Sequence, residues 1–172
     1  MSPNPDPEVT EQLKKLCVEH SDYLHLQDTK VKGDVFLAAL LFCESKFGKN
    51  CKPKAEAAYT PEGKHFDAEL RRLHNQYGRG VSCSWGPWQI MYVTALDLGY
   101  QGPPEDLAKP EVSIFYVVKY LNEGIAAGAI CVSQLADFYN VGKIKARKVP
   151  TGYVRTCISA YNGLAKAWLE QD

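Results

Sequence analysis

The chain is expected to be mainly α-helical, with a small β element near residues 79–90. Three observations lead there. Apolar residues recur at intervals of three and four in several separate segments, the spacing that lines one face of a helix. Start and stop signals bracket those segments, with Pro7 and Pro110 at openings and Gly78 and Gly99 at ends. The alternation of apolar and polar residues that a half-buried strand needs occurs only in short pieces. At 172 residues, 45% of them hydrophobic, the chain has the size of one domain with a well-buried core.

Taken in order, Asp6-Pro7 reads as an N-cap and a first helical residue, opening a helix through about His20. Asp34 is placed to cap the next helix, whose run Val35–Cys43 is apolar on every side and so belongs in the core. Residues 49–65 read as a long loop. Phe66, Leu70, Leu73 and Tyr77 then fall at i, i+4, i+7 and i+11 with charges between them, an amphipathic helix stopped by Gly78. Residues 79–92 carry Gly80, Gly86 and Pro87 and read as loop leading into a helix from about Tyr92 to Leu98. Gln101–Pro104 is a turn. Pro110 opens a helix with Ile114, Val117, Val118 and Leu121 inward, Leu135 and Tyr139 mark a shorter one, and Val154 to Trp168 keep helical spacing to the end.

Charge and composition exclude several classes. Twenty basic and 20 acidic residues give a formal net charge of zero, without the basic excess that nucleic-acid binding uses. No apolar stretch reaches transmembrane length. The opening MSPNPDPEV has neither a basic n-region nor an apolar h-region, so no signal peptide is expected in this chain. The six cysteines allow three disulfides, but none has CxxC spacing and none pairs with a nearby His, so they do not point to zinc. Cys17 and Cys157 fall at apolar helical positions, where a small buried hydrophobe is an equal reading.

Three stretches could carry chemistry. Glu44-Ser45 ends the most apolar helix of the chain. Burial and a helix C-terminus both raise a carboxyl pKa, and a carboxyl group still protonated near neutral pH can protonate a leaving oxygen. Alone, Glu44 reads more readily as a charge that has reached the surface. Ser84-Trp85-Gly86-Pro87-Trp88-Gln89 places two indoles and a carboxamide around a turn. Sugars stack on the one and bond to the other, although core tryptophans pinning a turn read equally well. Tyr139-Asn140 stands before Gly142, where a plain helix end is the simpler reading for Asn140 alone.

Order and spacing join these stretches. Glu44-Ser45, Gly86-Pro87-Trp88-Gln89, Phe138-Tyr139-Asn140-Val141-Gly142 and Tyr153-Val154 follow one another over roughly residues 33–170. In that order the chain resembles the goose-type lysozyme and soluble lytic transglycosylase superfamily, whose motifs run Glu-Ser, Gly-Leu-Met-Gln, Ala-Tyr-Asn-x-Gly and Tyr-Val. Tyr139-Asn140 is preferred over Tyr161-Asn162-Gly163 because it precedes the Tyr-Val pair. Pro87-Trp88 departs from Leu-Met, and Phe138 replaces a small residue. The stretch between Glu44 and Gln89 is longer than is common in transglycosylases and holds an added helix. The resemblance implies a lysozyme-like catalytic domain at 33–172 with an inserted segment at 49–82, and a helical extension at 1–32 packed on it.

The resemblance also implies a reaction: cleavage of the β-1,4 bond from N-acetylmuramic acid to N-acetylglucosamine in peptidoglycan. Glu44 would be the general acid, and Ser45 would orient it or the sugar. Gln89, Asn140 and Trp88 would hold substrate, and Tyr139 would line the cleft. The expected route is lytic transglycosylation, in which Glu44 returns as base and the muramic 6-hydroxyl closes a 1,6-anhydro ring. An inverting muramidase is the alternative and needs a second carboxylate roughly 6.5–9.5 Å away. Glu56 and Asp67 are the foremost candidates, with Glu62 and Asp67's neighbour Glu69 behind them. A lysozyme-like module that binds glycan without cutting it is a further alternative. No metal or organic cofactor is implied. The expected partner is the glycan strand, with no nucleic acid and no integral membrane segment, and the protein is expected to be a monomer. It would act in the cell envelope, periplasmic or secreted, or be released from a phage at lysis.

Overall fold

The computed structural model describes residues 7–27, 29–145 and 150–169. The chain is mainly helical with a small three-stranded antiparallel sheet. Asp6, which the sequence offers as a cap, and the side chain of Trp168, the last residue of the helical spacing, lie outside the described part.

The element around which the others pack is helix α2, Gly33–Ser45. Every residue from Val35 through Leu41 is buried. Such a helix has no face to give to water and must be covered all round. Helix α1 (Pro7–Ser21) covers one side, with Leu13 and Cys17 buried against the common core. Helix α1 thus packs on both α2 and α5. Helix α7 (Gly152–Leu169) lies along another side and contributes Val154 and Cys157.

Asp34 does not cap α2. Lys32 holds the N-cap position without a side-chain bond, and Asp34 sits in the first turn, accepting from Val35 N–H at 2.8 Å. Its charge still lies at the positive end of the helix. The Lys32 N–H donates to Tyr161 Oη at 2.9 Å, tying the start of α2 to α7.

Residues 49–65 are more ordered than a loop. They hold strand β1 (Lys54–Ala55) and a turn of 3-10 helix at Ala57–Tyr59. β1 pairs antiparallel with β2 (Cys83–Trp85), Lys54 opposite Ser84, and β2 pairs with β3 (Ile90–Met91), Trp85 opposite Ile90. A two-residue strand is too short to show a period, and only the pairing reveals it. The stretch 79–92 is likewise not plain loop: 3-10 helix at Gly78–Ser82 leads into β2 and β3. Helix α3 (Ala68–Tyr77) runs as the periodicity indicates, and Asp67 caps it by accepting from Leu70 N–H at 2.8 Å.

Helix α4 (Tyr92–Asp97) follows the hairpin, and 3-10 helix at Pro104–Ala108 leads to α5 (Pro110–Ala126), whose Ile114, Val117, Val118 and Leu121 are buried as expected. Helix α6 (Val132–Val141) ends at Gly142, whose left-handed φ of 71° makes it the cap. All six cysteines are free thiols, and Cys17 and Cys157 are fully buried. No helix among the described residues is long and apolar enough to cross a membrane.

The turn between β2 and β3 depends on Gly86. Its φ is +74°, and a Cβ there would lie 2.4 Å from the Leu107 carbonyl oxygen. Gly86→Ala combines a left-handed side-chain residue with a backbone collision. It is expected to cost at least about 1–2 kcal/mol, read as an earlier midpoint in denaturant unfolding.

Candidate active site

The site begins where α2 leaves the core. After Glu44 and Ser45 the backbone reverses through three consecutive left-handed residues, Lys46, Phe47 and Gly48. Lys46 N–H donates to Phe42 O and Phe47 N–H to Leu41 O, which satisfies carbonyls at the helix end. Ser45 Oγ donates to Leu41 O at 3.1 Å and accepts from Gly48 N–H at 2.8 Å. This buried hydroxyl, 1% exposed, fixes the reversal. Of the two expected roles for Ser45, contact with a sugar does not fit this burial, since its hydroxyl is bonded to backbone on both sides. The reversal carries the chain away and leaves Glu44 lining an open cleft of about 650 Å³.

The hairpin supplies the opposite wall. Gln89 has φ +49°, and its side chain is held at both ends. Nε2 donates to Gly86 O at 2.9 Å, and Oε1 accepts from Ser84 Oγ at 3.0 Å. Gln89 thus enters the cleft in one fixed orientation. Trp88 points the other way. It is 0% exposed, and its indole N–H donates to Leu37 O in the middle of α2 at 2.9 Å. The expectation that Trp88 offers a ring to substrate fails, because both its apolar faces and its one donor are used by the core.

Helices α5 and α6 close one end. Tyr139 lines the cleft and donates from its hydroxyl to Trp88 O at 2.7 Å. Its ring lies 5.8 Å from that of Tyr120, which also lines the cleft. Asn140 stands exposed on the rim, and Gly142 rather than Asn140 ends the helix. Phe138 fits beside them because Gly124 of α5 makes room. A Cβ on Gly124 would lie 2.7 Å from the Phe138 ring.

The electrostatics centre on Glu44. Its carboxyl is raised above the ordinary value, chiefly by loss of hydration. A hydrogen bond from Tyr153 and the Lys54 charge oppose the rise, and Glu56 adds to it. Tyr153, at the start of α7, donates its hydroxyl to Glu44 Oε1. Burial, with the neighbouring Glu44, pushes the Tyr153 phenol far above its usual range, so it remains a donor. With Oε1 accepting from Tyr153, Oε2 is the oxygen left to carry a proton whenever Glu44 is protonated. Burial likewise keeps Tyr139 protonated.

The structure therefore brings Glu44, Gln89, Tyr139 and Asn140 into one cleft, and Glu56 with them. Glu56 pairs with Lys54 at 3.2 Å, and its side chain is 41% exposed. Asp67 is not part of this cleft. Its carboxylate caps α3 and borders a separate groove between α3 and α4, which shares Tyr59 with the cleft. Tyr153, half of a motif in the sequence, bonds the Glu44 carboxyl, a contact that no spacing in the sequence shows. Lys54, Tyr59, Ser84 and Tyr120 also line the cleft, beyond the residues expected there. The only signal for these was proximity to Glu56, Gln89 and the α5 stripe. Among the described residues, no three His, Cys, Asp or Glu side chains converge as metal ligands would.

No protein-family model, curated protein or solved structure matches this chain. The cleft is defined here by its geometry and charge alone: a desolvated carboxyl group whose pKa is raised, facing fixed polar and aromatic groups in a groove open to solvent.

A folded Glu44 that holds its proton longer than the unfolded one makes the native state the better proton binder. Stability should then fall as pH rises from the ordinary carboxyl value of 4.5 through the higher folded value. Glu44→Gln removes that penalty. Its melting temperature is expected to exceed the wild type's at pH 7, with the difference vanishing below about pH 4. An equal difference at both pH values in a pair of thermal melts would contradict the raised pKa.

Proposed function

We propose that this chain cleaves the glycan strands of peptidoglycan at the N-acetylmuramic acid β-1,4-N-acetylglucosamine bond, as a lysozyme-like lytic transglycosylase. One observation carries the reading. A desolvated carboxyl group with a raised pKa, Glu44, shares an open cleft with Gln89, Tyr139 and Asn140, the partners its sequence motifs associate with it. A groove of about 650 Å³ open to solvent suits an extended polymer better than a small enclosed ligand.

In the proposed reaction Glu44 gives its Oε2 proton to the glycosidic oxygen as that bond breaks. The carboxylate left behind keeps the Tyr153 hydrogen bond and feels the Lys54 charge, which together limit the cost of the buried anion. Glu44 then accepts the proton of the muramic 6-hydroxyl while that oxygen bonds to C1. No water is consumed, and the acid is regenerated in the same event. Gln89, fixed by Ser84 and Gly86, and Asn140 on the rim would meet hydroxyl or acetamido groups. Tyr120, Tyr139 and Tyr59 supply the apolar faces that Trp88 does not. Acting on this polymer requires delivery to the envelope, periplasm or exterior, or release at lysis.

Hydrolysis is the second reading, because Glu56 lines the same cleft and its charge bears on Glu44. An inverting muramidase would use Glu56 as base toward water. Its pairing with Lys54 and its exposure favour the single-carboxylate route.

Glu44→Gln is expected to lower glycan-strand cleavage by at least about 100-fold, the usual contribution of a positioned acid, while leaving the fold intact by circular dichroism. Cleavage that survives the substitution would end the assignment. Product mass decides the route: anhydro ends are lighter by one water than reducing ends. Glu56→Gln should leave transglycosylation within a few-fold of wild type and should abolish hydrolysis. Glycan binding without new chain ends in the wild type would make the protein a binding module.

A further inference from the structure

Two thiols outside the proposed chemistry lie directly against it. Cys157 Sγ donates to Cys43 Sγ at 2.9 Å. Cys43 precedes Glu44 on α2, and Cys157 lies one turn beyond Tyr153 on α7. The Tyr153 hydroxyl also reaches the Cys157 sulfur. The sulfurs need to approach by only about 1 Å to reach the ~2.05 Å of a disulfide bond. The two differ in access: Cys43 lines the cleft, whereas Cys157 is 0% exposed. The other thiols have different partners. Cys51 donates to Gly48 O and Cys83 to Arg79 O, Cys131 meets Ser133 and Gln134 at the surface, and Cys17 is buried on the inner side of α1.

We propose that Cys43 and Cys157 form an oxidative modification site entered through the Glu44 cleft, in which a small-molecule disulfide joins them into a cross-link between α2 and α7. Cys43, as thiolate, attacks one sulfur of a disulfide such as oxidised glutathione. That S–S bond breaks, and the departing glutathione thiolate takes up the proton Cys43 lost. Cys157 then loses its proton and attacks the Cys43 sulfur of the mixed disulfide. The second glutathione leaves and takes that proton. The two protein thiols lose two electrons, and the oxidant is reduced to two thiols. Cys157 is held well above the ordinary thiol range by its bond to Cys43 and by burial, so it rests as a thiol until Cys43 has reacted. The product spans residues 43 and 157 and fixes α7 to α2 directly behind the Glu44–Tyr153 bond. None of this depends on whether Glu44 cuts glycan.

The test treats the full chain with oxidised glutathione, blocks remaining thiols under denaturing conditions, and maps peptides by mass without reduction. The expected product is one peptide pair containing Cys43 and Cys157, two hydrogens lighter than its parts and separated by reductant. The melting temperature should rise by roughly 10 °C, because the closed loop is long. Cys157→Ser should stop at a single glutathione on Cys43, and Cys43→Ser should leave Cys157 unmodified. Exposed Cys131 serves as the internal control for oxidant strength. Free Cys43 and Cys157 after Cys131 has been modified would overturn the proposal. So would cross-links to other cysteines, an unchanged melting temperature, or a Cys43→Ser chain in which Cys157 reacts as readily as Cys131.

Discussion

Burial of α2 on all sides is the constraint from which the rest of the structure follows. A helix without a polar face meets water only at its ends. Its neighbours are therefore fixed by what is needed to cover it: α1, α7 and the indole at the tip of the hairpin. A carboxyl group in the last turn of such a helix stands where core gives way to solvent. Glu44 is desolvated on one side and open to a cleft on the other. Either condition alone gives an ordinary residue, a neutral buried acid or a solvated anion.

Aromatic side chains hold α2 in place along its length. Tyr161 accepts at its start, the Trp88 indole donates to its middle, and Tyr153 donates to its last turn. Tyr139 then fastens Trp88 from α6. Each such bond is worth about 1 kcal/mol, but together they fix the relation of α7, the hairpin and α6 to one helix. Backbone strain gathers in the same place. Lys46, Phe47 and Gln89 are the non-glycine residues with positive φ among those described. Two follow the Glu44-Ser45 pair and the third lines the cleft, at a cost of order 1–3 kcal/mol each.

The helices were legible because their evidence is local and repeated. Ile114, Val117, Val118 and Leu121 announce a buried face whatever covers it. The sheet was barely legible, since β1 has two residues and no period. Glu44 was legible as an anomaly, a charge closing an apolar run. What surrounded it was less so. Trp88 looks the same in sequence whether its indole faces a ligand or the Leu37 carbonyl, because a donor's destination is a tertiary fact. Asp67 has both the composition of a second carboxylate and the position of a cap, and only the bond to Leu70 N–H decides between them. Tyr153 stands 109 residues from the carboxyl it bonds, beyond any periodic pattern. The resemblance leaves Ser45 to orient either Glu44 or the sugar, and neighbours in a helix point about 100° apart, so adjacency to Glu44 does not bring its hydroxyl to the cleft.

The meeting of Gly124 and Phe138 reaches beyond this one chain. The two residues share a fixed allotment of space between α5 and α6, so neither can change size alone. A small residue at 138 would leave a void that a larger side chain at 124 could fill, and a large residue at both would force the helices apart. Volume should therefore be traded between these positions as sequences of this kind diverge. The shape of the cleft beside Tyr139 and Asn140 would then be inherited as a property of the pair rather than of either residue.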